Sequence, residues 1–211
     1  MKYKGIIFDL DGVLVSTDEC HYFAWKKLAD EEGIYFDRTI NMRLRGVSRM
    51  ESLDIVLEKA EKTYTSEEKY EMAARKNGYY VEMIQKIDSS ALLTGAVDFC
   101  EKMRAEGALL AIGSSSKNTK LILKQVGLLD YFDAIADGND IKNSKPDPEV
   151  FLCAAEKLGL APETCMVVED ADAGIQAALS AGMDVLAVGS AKENQKATFR
   201  AENLATADIV F

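Results

Sequence analysis

Residues 4–17, Lys-Gly-Ile-Ile-Phe-Asp-Leu-Asp-Gly-Val-Leu-Val-Ser-Thr, constrain the fold more than any other stretch. The apolar run from Gly5 to Phe8, closed by Asp9, Asp11 and Gly12, reads as a buried strand of a parallel sheet. Ligands of open α/β sheets sit beyond the carboxyl ends of such strands, where these two acids emerge. Strand alternation puts both side chains on one side of the chain, about 7 Å apart. Carboxylates that close repel each other unless a shared proton or a cation relieves them, and a hard, oxygen-seeking ion such as Mg²⁺ suits the pair. An isolated Asp-x-Asp also ends many strands as a solvated acidic turn; the strand before it and the helix start after it make this one specific.

Behind that strand the pattern is almost wholly helical from 17 to 87. Thr17 or Asp18 can cap a helix that runs to about Glu32 and stops at Gly33. Ser48-x-x-Glu51 and Thr65-x-x-Glu68 are capping boxes that open two more helices. The pattern then changes to short apolar runs at 109–112, 134–136, 166–168 and 185–188, with Ile209-Val210-Phe211 as a further candidate. Helical segments near 95–106, 117–127, 148–159 and 172–181 alternate with them. Such alternation implies a doubly wound, Rossmann-like parallel sheet with right-handed crossovers. The expected organisation is an α/β core of residues 1–16 and 88–211, with residues 17–87 inserted as a helical cap.

Chemistry recurs where the strands end. Ser114, Ser115 and Ser116 follow the second strand, and a hydroxyl there suits a phosphate as well as it suits plain helix capping. Lys145 sits between Ser144 and Pro146-Asp147-Pro148, a turn whose prolines hold the root of the lysine rigid. Glu169-Asp170 ends another strand and supplies a second acidic pair. A fixed amine beside four carboxylates is not explained by a solvated surface.

Composition removes other classes. A net charge of −10 over 211 residues argues against a general nucleic-acid or anionic-membrane binder, which carries a basic face. Cys20, Cys100, Cys153 and Cys165 show neither a C-x-x-C pair nor zinc-ligand spacing, and read as reduced thiols. The N-terminus enters a strand directly and no apolar run reaches membrane-spanning length, so a cytoplasmic location is expected.

The order Asp-x-Asp, Ser, Lys, Glu-Asp resembles the four motifs of the haloacid dehalogenase superfamily. The insert narrows the resemblance. His21-Tyr22-x-Ala24-Trp25-Lys26, Arg45-Gly46-Val47-Ser48-Arg49-x-x-Ser52-Leu53, Arg75-Lys76-Asn77, Ser114-x-Ser116-Lys117-Asn118 and the segment 131–137 are similar to the beta-phosphoglucomutase family, over about residues 3–190. The resemblance implies an Mg²⁺-dependent isomerase acting on a sugar phosphate through a sugar bisphosphate. In it Asp9 would be the nucleophile and Asp11 the general acid/base, with Ser114 and Lys145 on the transferring phosphoryl group. The metal would be held by Asp9, the Asp11 carbonyl, Glu169 and Asp170. Arg49, Ser116, Lys117 and Asn118 would hold the other phosphate, and Gly46, Val47 and Ser52 would line the sugar site. His21 and Lys76 would contribute to positioning or to cap closure, with Thr17 and Trp25 also on the substrate side. A monomer that engages neither nucleic acid nor membrane is expected. Ser16 and Arg45 depart from the acid and the lysine common at these positions.

Three other readings share parts of this pattern. A sugar-phosphate phosphatase would use the same nucleophile with water as acceptor. A signalling receiver also clusters acids and a lysine on a parallel sheet, but there the lysine comes last, whereas Lys145 precedes Glu169-Asp170. A phosphonate hydrolase would need a Schiff-base lysine from the insert, for which Lys26 and Lys76 are the candidates.

Overall fold

The computed structural model of the protein describes residues 2–44 and 47–209. The expectations that fall on Arg45, Gly46, Val210 and Phe211 lie outside these residues. The chain enters β1 (Gly5–Phe8) and then leaves the sheet for α1 (Asp18–Glu31), α2 (Arg38–Met42), α3 (Arg49–Leu57) and α4 (Ser66–Ile84). It returns through α5 (Ala96–Ala105), β2 (Leu109–Gly113), α6 (Thr119–Gln125), β3 (Ala134–Ala136) and α7 (Glu149–Leu158). β4 (Cys165–Glu169), α8 (Asp172–Ser180), β5 (Asp184–Ala187) and β6 (Phe199–Arg200) follow. The six strands form one sheet of order β3-β2-β1-β4-β5-β6, and every pairing is parallel. The order reverses between β1 and β4, which makes their carboxyl ends the expected place for a ligand.

β1 is central, and its continuous apolar run follows from that position: both faces of a doubly wound sheet are covered. Ile6 and Phe8 face a layer that includes Phe99 and Met103 of α5 and Ile122 and Leu123 of α6. Ile7 faces the opposite layer, with Phe151 and Ala154 of α7 and Ile175 and Ala178 of α8. The helical segment has a third core of its own, built on Trp25, Leu28, Phe36, Leu53, Val56 and Met72. Tyr80 and Ile84 of α4 belong instead to the first layer, so this helix reaches down to the sheet.

The two chain crossings that join the helical segment to the sheet are tied to each other. Ser16 N donates to Ala91 O at 3.0 Å and Leu93 N to Leu14 O at 2.9 Å, a short antiparallel contact at the root of the insert. Both capping boxes form: Ser48 with Glu51 ahead of α3, and Thr65 with Glu68 ahead of α4. Thr17 precedes α1 without capping it, because its hydroxyl is used elsewhere. No helix among the described residues is long and apolar enough to cross a membrane.

Candidate active site

The carboxyl ends of three adjacent strands bring the core groups together. Asp9 follows β1 directly and is anchored by its own N–H, which donates to Val168 O at 3.0 Å. Ser114 follows β2 and is tied to Ala136 O at 3.1 Å; it is 3% exposed. Glu169 is the last residue of β4, with Asp170 beside it. Lys145 comes from the loop between β3 and α7. That loop is fastened to α7 by Glu149, whose carboxylate accepts from Lys142 N at 3.0 Å and Asn143 N at 2.8 Å.

Lys145 Nζ donates to Asp9 Oδ1 at 2.6 Å and to Glu169 Oε2 at 2.8 Å, and it lies 4.6 Å from the centroid of the Phe151 ring. Burial works against its charge, but Asp9 and Glu169 hold the ammonium above the ordinary lysine range. Burial also pushes Glu169 up, against the pull of Lys145. Two glycines leave room for the acids. A Cβ on Gly174 would stand 2.2 Å from Glu169 Oε2. A Cβ on Gly12, whose φ is +83°, would stand 2.2 Å from Asp170 Oδ2.

One oxygen from each of Asp9, Glu169 and Asp170 lies within 4.8 Å of the others, an all-oxygen set that fits a metal ion. Three carboxylates around one ammonium leave an excess of negative charge, which a bound cation would relieve. Asp11 stands at the cleft edge of the same cluster. Burial, against the hydrogen bond from Thr17 and with the charge of Asp9, pushes its carboxyl up to about 7.

The inserted helices face these groups across a cleft of about 1200 Å³. Lining it from the insert are His21 and Trp25 of α1, Val47, Arg49 and Ser52 at α3, and Lys76 of α4. Ser114, Ser116, Lys117 and Asn118 line it from the core, together with Lys145 and the acids. Arg49 has no ion-pair partner among the described residues. Lys76 is 3% exposed, boxed between the rings of Trp25 and Tyr80 at 4.7 and 4.8 Å. Its Nζ lies 3.0 Å from His21 Nδ1. The other ring nitrogen of His21, Nε2, lies 4.0 Å from Asp11 Oδ2. Burial, then the charges of Lys76 and Arg49, hold His21 well below the usual imidazole range, so the ring is neutral.

Not every residue singled out in the sequence reaches the cleft in the same way. Trp25 is 2% exposed and offers the cavity only an edge, the rest packing in the insert's own core. Thr17 is 1% exposed and is not among the residues that line the cleft. Its N–H and hydroxyl both donate to Asp11 Oδ1, and the hydroxyl also meets Tyr80 Oη at 2.8 Å. The threonine therefore holds the carboxyl group of Asp11. Tyr80 and Asn77 also line the cleft; Lys76 and Asn77 lie four and three residues before Tyr80 on α4, and that spacing is the signal that one helix face is used.

A model of the haloacid dehalogenase-like hydrolases matches residues 3–182. The chain is 43% identical to the beta-phosphoglucomutase of Bacillus subtilis (strain 168) over 188 residues, 88% of this chain and 83% of that protein. It is 31% identical to the fructose-1-phosphate phosphatase of Escherichia coli (strain K12) over 89% of this chain and 97% of that one. The crystal structure of beta-phosphoglucomutase from Clostridium difficile superposes with a TM-score of 0.89 at 42% identity, covering 96% of this chain and 92% of the other. With its motifs at the strand ends and a helical insert behind the first, the chain belongs to the haloacid dehalogenase-like hydrolase family.

Proposed function

We propose that the protein is a beta-phosphoglucomutase, an isomerase that interconverts beta-D-glucose 1-phosphate and D-glucose 6-phosphate through a bound beta-glucose 1,6-bisphosphate. The observation that carries this reading is a single cleft lined by two sets of groups: Asp9 with Lys145 beside it, and the anion-binding set Arg49, Ser116, Lys117 and Asn118. A bisphosphate needs two anchors; hydrolysis of a monophosphate needs one. The identity to a beta-phosphoglucomutase over most of the chain supports the same choice.

In this reading Asp9 attacks phosphorus and carries the phosphoryl group as an aspartyl phosphate, which it passes to the 6-hydroxyl of beta-glucose 1-phosphate. The bisphosphate then turns over in the cleft, and its C1 phosphoryl group returns to Asp9, releasing glucose 6-phosphate. A covalent intermediate splits one difficult transfer between two sugar oxygens into two easier ones. Asp11 takes the proton from the attacking hydroxyl and gives it to the departing sugar oxygen. A carboxyl pushed up to about 7 is matched to both directions near neutral pH. Thr17 and Tyr80 hold it in place, and Ser114 and Lys145 offset the charge of the transferring group. Mg²⁺ held by Asp9, the Asp11 carbonyl, Glu169 and Asp170 would supply further charge neutralisation there. Residues 17–87 act as the cap whose closure keeps water from the aspartyl phosphate. One chain supplies every group named, which supports a monomer.

The test is to supply beta-glucose 1-phosphate and a trace of the 1,6-bisphosphate and to follow glucose 6-phosphate and free phosphate together. Glucose 6-phosphate formed with little free phosphate is the expected result. Rapid stoichiometric release of phosphate would make the protein a sugar-phosphate phosphatase instead.

A further inference from the structure

Asn118 lies on the loop between β2 and α6, and its backbone is fixed locally: its N–H donates to Ser116 Oγ at 3.2 Å, and Thr119 Oγ1 donates to Ser116 O at 2.8 Å. Its carboxamide is held differently. Asn118 Nδ2 donates to Asn77 Oδ1 at 3.0 Å, across the cleft, to a residue 41 positions away on α4 of the helical insert. Both asparagines are half-buried and both line the cleft. Asn77 lies one turn from Tyr80, which meets Thr17 behind Asp11. One face of α4 therefore touches the core at two places: through Tyr80, which packs in the first core layer, and through Asn77, which meets Asn118.

A carboxamide carries two N–H donors and one acceptor oxygen on a single planar group, and which end faces a ligand depends on what fixes its flip. In the arrangement seen here Asn77 offers its oxygen, so the NH2 end of the Asn118 carboxamide is the end held at the insert. Phosphate oxygens accept hydrogen bonds and repel a carbonyl oxygen, so this orientation is the one a phosphate can use: one N–H goes to Asn77 and the second is left for the anion.

We propose that Asn77 is a positioning residue for the phosphate that is not being transferred. It orients the Asn118 carboxamide, and it can do so only while the insert lies over the core, so grip on that phosphate and closure of the cleft become one event. The inference rests on the reading that Asn118 helps to hold the second phosphate, and it adds a residue of the insert that acts through Asn118.

The experiment is a double-mutant cycle with Asn77→Ala, Asn118→Ala and the double variant, with Asn77→Ser as a second, milder change. Steady-state isomerisation of beta-glucose 1-phosphate is compared with phosphorylation of Asp9 by acetyl phosphate, a donor with no second phosphate. The expected result is a roughly tenfold rise in KM for the sugar phosphate in Asn77→Ala, the scale of one hydrogen bond, with a smaller change in kcat. Phosphorylation by acetyl phosphate should change less than about twofold, and the double variant should be no worse than Asn118→Ala alone. Losses that multiply in the double variant, or equal loss with both donors, would overturn the inference. Failure of the mutase reading has a separate signature, free phosphate without glucose 6-phosphate in the wild type. The same cycle is then read on hydrolysis of glucose 1,6-bisphosphate, where unchanged KM values in Asn77→Ala would overturn the inference.

Discussion

At the scale of single residues, the ammonium of Lys145 and the carboxylates of Asp9 and Glu169 exist in the interior only because they face one another. Removing one partner of a buried ion pair leaves an uncompensated charge and typically costs about 3–5 kcal/mol. Lys145→Met should therefore lower the urea midpoint of unfolding well beyond the loss of a methylene stem, and millimolar Mg²⁺ should recover part of it by screening the acids. A midpoint equal to that of the wild type would show that the acids are neutral in the folded chain. Asp9→Asn tests the nucleophile: mutase activity should fall at least about 10³-fold and phosphate label should vanish from the protein. Label on any other residue of the wild type would reassign the nucleophile. Lys76 gives a pH prediction with a definite sign. Burial and the charge of Arg49, with Asp11 and Cys20 acting the other way, bring its ammonium down from 10.5 to about 7. Between those values the unfolded chain binds a proton that the folded chain does not, so stability rises with pH through that window and the full penalty applies below it. The gain in urea midpoint between pH 6.5 and 9.5 should shrink in Lys76→Met, and an identical gain in both proteins would show that the amine is not desolvated.

Secondary-structure elements differ in how plainly the sequence announces them, and the reason lies in what each element buries. β1, β2, β4 and β5 are covered on both faces, so the runs at 5–8, 109–113, 165–168 and 185–187 are continuously apolar and can be read directly. β6 is two residues at the sheet edge, Phe199 and Arg200, half-buried and exposed, and carries no such run. α2 is five residues opened by Asp37, which accepts from Ile40 N at 2.9 Å, too short to show a helical period. The capping boxes were legible because they are local pairs three residues apart, and both form. The contacts of Thr17 and of Asn77 were not legible, since their partners lie 63 and 41 residues away. The acidic cluster also belongs to this scale, because β1 and β4 meet only through the crossover order of the sheet. A metal site built from strand ends should be rigid, and it predicts that a divalent ion raises the melting temperature. Mg²⁺ at 100 times its Kd would add about 2.7 kcal/mol. Asp170→Asn should reduce that shift without lowering the melting temperature of the metal-free protein, and a wild-type melting temperature that Mg²⁺ leaves unmoved would refute the site.

Across the whole molecule the charges are divided between the two sides of the cleft. The chain carries a net charge of −10, and the core side of the cleft collects Asp9, Asp11, Glu169 and Asp170. The insert side presents Arg49 and Lys76 towards them, with Lys117 at the rim of the core. A substrate with two phosphates bridges this division: one phosphate reaches the acids, where Lys145 and a metal offset the charge, and the other reaches the cations. Arg49 is the group best shaped for the second task, since its planar fork can bind two phosphate oxygens at once and it stays charged when partly buried. Replacing it should therefore separate the two halves of the reaction. Arg49→Ala, and to a lesser degree Arg49→Lys, should reduce isomerisation of beta-glucose 1-phosphate by roughly 10- to 100-fold, the worth of one charge-assisted hydrogen bond of about 1.5–3 kcal/mol. Phosphorylation of Asp9 by acetyl phosphate should be changed far less, because that donor presents no second phosphate. Equal damage to both reactions would make Arg49 a structural residue of α3 and would leave the cleft with a single phosphate anchor, as a phosphatase requires.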